Sequence, residues 1–153
     1  MQWYLEPIEP HLDAIKLLFE KNAEHRHASN YLKFPLFEYT KFSRLGYDKK
    51  LVYYSAGIER PEYKGSIRIM SRHTRDRFYN FGGWKKDLKR GIDTLDLSTE
   101  HALNLGYKDI WVSREESPNI LQHFKEHSAY SWKITYEKIP NITREQWILK
   151  LKN

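Results

Sequence analysis

The chain has 153 residues and a mass of 18.5 kDa, enough to bury one real core and too little for two comfortable domains. Hydrophobic residues at 40% and aromatic residues at 15% exclude a disordered composition, and the absence of cysteine excludes disulfides, thiolate metal sites and a cysteine nucleophile. A net charge of +6 calls for an anionic partner, which in general is nucleic acid, a membrane surface or a phosphate-bearing small molecule.

The charge is concentrated. Arg68, Arg72, Arg75, Arg77, Lys85, Lys86, Lys89 and Arg90 face only Asp76 and Asp87 in that stretch, so an anion is expected there. The opening Met1-Gln2-Trp3-Tyr4-Leu5-Glu6 lacks a secretory pattern, and no run reaches the ~18 apolar residues of a membrane helix. A cytoplasmic protein without membrane association is expected.

In chain order, residues 2–8 alternate as a first strand. Glu9-Pro10 then opens a helix whose buried face is Leu12, Ile15, Leu18, Phe19 and Ala23. Residues 29–42 are aromatic and broken by Pro35, with Leu36-Phe37-Glu38-Tyr39 read as a short second helix. Residues 42–47, 51–58 and 66–74 read as strands, separated by Asp48-Lys49-Lys50 and by the turn from Arg60 to Gly65. Such short, polar separators predict an antiparallel meander. In its third strand Ile67, Ile69, Ser71 and His73 share one face, and Arg68, Met70, Arg72 and Thr74 the other.

The linker over residues 75–84 carries Asn80 and Gly82-Gly83. Leu88, Ile92, Leu95, Ala102 and Leu103 then recur at helical spacing until Gly106 stops the pattern. A strand over 107–113 follows. Ser117-Pro118-Asn119 opens a helix through Ile120, Leu121 and Phe124, and strands over 132–139 and 147–151 finish the chain. No repeat, low-complexity tract or interdomain linker interrupts it. The expectation is one domain over residues 1–153, a mixed α/β (α+β) fold with a mostly antiparallel central sheet flanked by helices.

This element order, with the blocks Gly91-Ile92-Asp93 and Gly106-Tyr107-Lys108-Asp109-Ile110-Trp111-Val112, resembles the GCN5-related N-acetyltransferase (GNAT) superfamily. The resemblance implies an acyl-CoA N-acyltransferase fold over nearly the whole chain. It also implies a loop at a helix start whose backbone N–H groups bind the pyrophosphate of acetyl-CoA, an anion site made by a helix N-terminus. Two registers fit that loop. In one, Arg90 is the loop arginine, leaving Asp93 and Leu95 where small residues belong. In the other, preferred because Leu88, Ile92 and Leu95 already look helical, the nest is Gly82-Gly83 and the helix starts near Trp84-Lys85. The implied cofactor contacts are then Gly82, Gly83, Trp84 and Lys85, within the positive field of Arg75, Arg77 and Lys86. A plain glycine turn ahead of a solvated basic helix start reads the same residues without a ligand.

A second family motif places an Asn, a small residue and a proton-donating Tyr after the later strand. Ser117, Ile120 and Phe124 stand at those positions, with Asn119 offering the polar contact if the register slips by two. Phenylalanine has no proton to give, so leaving-group protonation falls to Tyr130, His123 or water. Candidates to take the amine proton are His73, Glu59, Glu62, Glu115 and Glu116. His73 has the convenient ordinary pKa, near ~6.5, and is equally read as a strand histidine bonded to backbone.

The resemblance therefore implies transfer of an acetyl or acyl group from acyl-CoA to a primary amine, by direct attack and without a metal. A homodimer through the aromatic C-terminal strands stays open. The other reading is a catalytically inactive member of the fold that binds a protein partner or nucleic acid, since Phe78, Tyr79, Phe81 and Trp84 interleave with the cations. His123-Phe124-Lys125-Glu126-His127 spells H-x-x-E-H, but a catalytic zinc needs a third ligand, and beyond it only Glu137 and Glu145 follow.

Overall fold

The structure, a computed structural model, describes residues 2–5, 39–48, 51–73, 84–114, 118–140 and 145–152. Its elements are β1 (Gln2–Leu5), β2 (Thr40–Asp48), β3 (Leu51–Ile58), a 3-10 turn (Pro61–Tyr63), β4 (Ser66–His73), α1 (Trp84–Asn104), β5 (Asp109–Arg114), α2 (Asn119–His127), β6 (Trp132–Lys138) and β7 (Glu145–Leu151). The expected helix at residues 10–23 and, Tyr39 aside, the short helix at 36–39 lie outside the described residues. No helix among the described residues is long and apolar enough to cross a membrane.

The chain divides into two compact units, residues 1–58 with 70–81, and residues 59–69 with 82–153. In the first, β1 pairs antiparallel with β2, Trp3 opposite Gly46 and Leu5 opposite Arg44. β2 in turn pairs antiparallel with β3. Asp48 stands directly opposite Leu51, so the pairing runs to the adjacent ends of the two strands. The register slips between Thr40 and Phe42, the mark of a bulge at the far end of β2. Phe42, Ala56, Ile58 and Met70 are buried here, together with Ser43 and Ser55.

The second unit has strand order β4-β5-β7-β6. β4 and β5 run parallel, and a parallel neighbour requires a long crossover, which α1 supplies. β5 pairs antiparallel with β7, and β7 with β6. Ile67, Ile110, Trp132, Ile148 and Leu149 are fully buried at its centre. Burying five such side chains is worth about 1.5–3 kcal/mol each, the main drive for this unit.

α1 buries Ile92, Leu95 and Ala102 as its periodicity requires, but it also buries Thr94, Ser98 and Thr99. That is permitted because the hydroxyls of Thr94 and Thr99 donate to the carbonyls of Arg90 and Leu95 one turn back, each at 2.7 Å. The helix ends in a Schellman turn. Tyr107 N–H donates to Ala102 O at 3.1 Å and Gly106 N–H to Leu103 O at 2.9 Å, with Gly106 at φ +96° where a side chain would be strained.

α2 packs on α1 through Phe124, buried beside Gly91. A Cβ at Gly91 would lie 3.1 Å from Phe124 Cζ, so the glycine is what admits the ring. The architecture is a mixed α/β fold with a mostly antiparallel sheet, as the residue pattern predicts.

Candidate active site

α1 begins at Trp84. Gly82-Gly83 therefore immediately precede its first residue, whereas residues 90–95 are helix interior with Leu95 buried and Asp93 exposed. The register that put Arg90 in a phosphate loop is overturned, because a loop residue needs backbone N–H groups not already closed into i to i−4 bonds. The first four N–H groups of a helix have no acceptor within it, and the aligned peptides place about +0.5 charge at that end. Lys85 and Lys86 sit in this first turn, where a cation opposes the dipole. An anion bound ahead of Trp84 offsets both, so the residues present fit a phosphate group.

β5 supplies the second element. Its parallel ladder with β4 has three pairs, Ser66 with Asp109, Ile67 with Ile110 and Arg68 with Trp111. Val112, Ser113 and Arg114 continue in register with β7 and, among the described pairs, not with β4. Among the described pairs that stretch is laddered on its β7 edge.

The face of β5 carrying Trp111 and Ser113 is aromatic and cationic. The Arg68 guanidinium lies 5.8 Å from the centre of the Trp111 ring, and Tyr63 meets that ring edge-on with centroids 5.2 Å apart. The Arg68 Nε and the Ser113 hydroxyl are both buried without a hydrogen-bond partner among the described residues. Burial raises the Tyr63 pKa, against the lowering influence of the Arg68 and Arg60 charges. Sequence reasoning missed this group, although the pairing of Arg68 with Trp111 follows once the parallel register is known.

The expected catalytic residues come from separate segments of the chain. His73 is the last residue of β4. Glu59 is engaged in bracing, since its carboxylate accepts the Gly65 N–H at 2.9 Å and a bond from the Tyr107 hydroxyl. The Tyr107 pKa is raised by burial first and then by the Glu59 charge and hydrogen bond. Tyr130 lies near α1, its pKa raised by burial and then by the charges of Glu100 and Asp96. A phenol so placed keeps its proton at neutral pH.

Of the expected cofactor contacts, Trp84, Lys85 and Lys86 are the first three residues of α1, and Asn119 is the exposed first residue of α2. Arg75, Arg77, Gly82, Gly83 and Ser117 lie outside the described residues. Phe124, at the family's tyrosine position, points its ring tip at the α1 backbone beside Gly91. His123 and His127 lie with tilted rings, centroids 4.4 Å apart, and no group of three or more His, Cys, Asp or Glu suited to a metal occurs among the described residues.

A polar clamp on the other half of α1 was also missed. Asp96 accepts the Ser128 hydroxyl through one carboxylate oxygen and the Ala129 N–H, at 2.9 Å, through the other. Ser128 Oγ in turn accepts Trp132 Nε1 at 2.8 Å and Tyr130 N–H at 3.1 Å. One helix carboxylate thereby fixes the turn joining α2 to β6. Asp96 reads in the sequence as an ordinary solvated helix residue, and only its contacts 32 and 33 residues away reveal it.

The sequence matches no family model and no curated protein. The fold does match solved structures. A ribosomal-protein-alanine N-acetyltransferase from Brucella melitensis aligns with TM-score 0.61 and 10% identity over 98% of both chains. An IAA acetyltransferase from Bacillus cereus aligns with TM-score 0.53 and 15% identity, covering 98% of this chain and 97% of that one. A chimeric spermidine N-acetyltransferase from Vibrio cholerae aligns with TM-score 0.54 and 12% identity, covering 99% and 95%. The fold is thus shared along nearly the full length of three acetyltransferases, and the chain carries the GNAT fold.

Proposed function

We propose that this protein transfers an acetyl or other acyl group from acyl-CoA to a primary amine, by direct attack within a ternary complex. The observation that carries the reading is the start of α1 at Trp84, directly after Gly82-Gly83 and with two lysines in its first turn. The backbone N–H groups of Gly82, Gly83, Trp84 and Lys85 would hold the pyrophosphate, in the field of Arg75, Arg77 and Lys86, with Ser117 and Asn119 as polar contacts ahead of α2. Backbone groups of Val112 to Arg114 would hold the thioester carbonyl, so few side chains are needed there.

In the reaction the amine lone pair attacks the thioester carbon. The new C–N bond forms, the C–S bond breaks, the amine loses a proton, and the thiolate gains one. His73 is our candidate base. Glu59 is the weaker one, because its lone pairs already serve Gly65 and Tyr107. With phenylalanine at position 124, the proton for the thiolate comes from Tyr130 or water. Among the structural relatives the named acceptors differ, a ribosomal-protein alanine in one and spermidine in another, so the fold supports an amine acceptor and no particular one.

The test is acetyl-CoA binding followed by turnover. A ligand present at 100 times its Kd stabilises the folded state by about 2.7 kcal/mol, a readily measured rise in Tm. Replacing Gly82 and Gly83 with valine should erase that rise; no rise with the unaltered chain removes the reading. The buried Phe124 favours the second reading, a silent member of the fold. Acetyl-CoA binding without thiol release across a panel of amines would establish it, and salt-sensitive binding of single-stranded oligonucleotide would name its partner as nucleic acid.

A further inference from the structure

Arg68 and Trp111 are neighbours across the short parallel ladder of β4 and β5, and the guanidinium lies 5.8 Å from the centre of the indole. Tyr63 meets the same indole edge-on, and Ile139 and Ile148 pack with it in one buried cluster. The indole is held in place, and it holds the arginine.

What this arginine lacks is an anion. Its Nε is buried without a hydrogen-bond partner, and no carboxylate among the described residues forms an ion pair with it. The charges that act on the Tyr63 hydroxyl are Arg68, Arg60 and Glu62, and Arg60 is paired with Glu62 at 3.2 Å. Of these three, Arg68 is the one left uncompensated. A half-buried cation without a counter-charge is costly to desolvate, and an aromatic face offsets only part of that cost. A carboxylate offsets the rest, because its two oxygens match the planar guanidinium fork. One uncompensated charge also suits a monoanion better than a phosphate near −2.

Ser113 shares the face of Trp111 two residues further along β5, and its hydroxyl is a second buried donor without a partner among the described residues. Two residues of strand advance roughly 7 Å. That stretch is the one whose backbone would hold the thioester carbonyl, so an amine beside it and a carboxylate on Arg68 can belong to one small molecule.

We propose that Arg68 is a carboxylate-binding subsite and that the acyl acceptor is a small aminocarboxylate, its amine presented along Val112 to Arg114 and its carboxylate held by the guanidinium. The acceptor role rests on the acyl-transfer reading; carboxylate binding at Arg68 is measurable without turnover. Arg68 is thereby set apart from the cations near the start of α1, which would serve the phosphates of the cofactor.

The test follows the Arg68 Nε–H resonance in nitrogen-labelled protein, identified by its loss in Arg68→Lys. β-Alanine and γ-aminobutyrate should shift it saturably. β-Alaninamide and γ-aminobutyramide, which keep the amine and lack the charge, should not. With acetyl-CoA present and thiol release measured, kcat/KM should favour each acid over its amide. Arg68→Met keeps an apolar stem against Trp111 and removes the charge, so it should cut that preference about tenfold or more, through KM. Arg68→Lys keeps the charge, loses the fork and should fall between; with the titration of the unaltered protein it decides the matter even if Arg68→Met does not fold. Equal shifts from acids and amides, or a shift from inorganic phosphate and none from the acids, overturn the inference. Turnover without preference for the acids overturns it and leaves acyl transfer intact. Acid binding at Arg68 without thiol release from any amine removes acyl transfer and the acceptor role with it, while the carboxylate subsite stands.

Discussion

At its C-terminal end α1 stops on a Schellman turn at Gly106, after Asp96 has fastened the turn between α2 and β6. At its N-terminal end the same helix opens with Trp84-Lys85-Lys86, two cations set against the positive pole of the dipole. The C-terminal half is held by the Asp96 carboxylate and the Schellman turn. The other opens with two lysine positions where the dipole is positive, an arrangement that the proposed anion would offset. The contrast separates the half of the helix that supports stability from the half expected to bind.

The largest effect should come from breaking the fastened half. Asp96→Ala removes two acceptors and leaves the Ser128 hydroxyl and the Ala129 N–H without their carboxylate. Hydrogen bonds to a charged group are worth about 1.5–3 kcal/mol each when buried and less when exposed, as the one from Ala129 is, so a loss of about 2–4 kcal/mol is expected, lowering Tm by roughly 5–15 °C. If this half is purely structural, acetyl-CoA should still raise the Tm of the variant by as much as it raises that of the parent.

The middle of the helix comes next. Gly91→Val places a branched side chain where even a Cβ lies 3.1 Å from Phe124 Cζ, and overpacking of this kind costs about 1–3 kcal/mol. Phe124→Leu shortens the opposing ring and should return part of that loss in the double variant, as a thermal-unfolding cycle would measure. Phe124→Tyr is expected to destabilise too, because its hydroxyl would extend from Cζ toward the α1 backbone. It should therefore not supply the missing acid, which single-turnover thiol release would check.

These contacts mark how far the sequence is legible. The strand at residues 51–58 is read to the residue, and the β4 and α1 patterns fall in place because period and stop signals agree there. Three features escape. Thr94, Ser98 and Thr99 look like surface residues until the back-bonds of Thr94 and Thr99 into the helix make their burial affordable. Leu103, read as part of the apolar face, is 37% exposed because the helix is ending there. β7 begins at Glu145, two residues before the expected strand, because Gln146 is buried despite its polarity. Of the candidate site, the helix start was legible from Gly82-Gly83 and the later apolar spacing. The Arg68–Trp111–Tyr63 group was not, because it depends on which strand β4 lies beside.

A smaller and opposite effect is expected at the binding half. Removing Lys85 and Lys86 together relieves an unfavourable dipole interaction of about 0.3–1 kcal/mol per charge, so the unliganded double alanine variant should gain slightly in Tm. Its acetyl-CoA affinity should fall, with a shallower dependence on salt. A variant that loses stability and keeps full affinity would erase the distinction between the two halves.

The smallest effect concerns Glu59 and Tyr107, just beyond the Schellman turn. Burial, and then the Glu59 carboxylate with its hydrogen bond, raise the Tyr107 pKa above the ordinary tyrosine value of 10.0. A phenol whose folded pKa exceeds its unfolded one contributes stability that is complete below the unfolded value and is lost as pH rises through the folded value. The stabilising contribution should therefore be intact at neutral pH and decline only above about pH 10. Glu59→Gln removes the carboxylate charge while leaving an acceptor for Gly65, so the Tyr107 titration, followed by ring NMR shifts, should move down yet stay above the ordinary value because burial remains. If acyl transfer also survives in Glu59→Gln, the residue braces the turn and the base lies elsewhere. A selective loss of turnover with an unchanged Tm would return Glu59 to the reaction and make His73 the residue to relinquish.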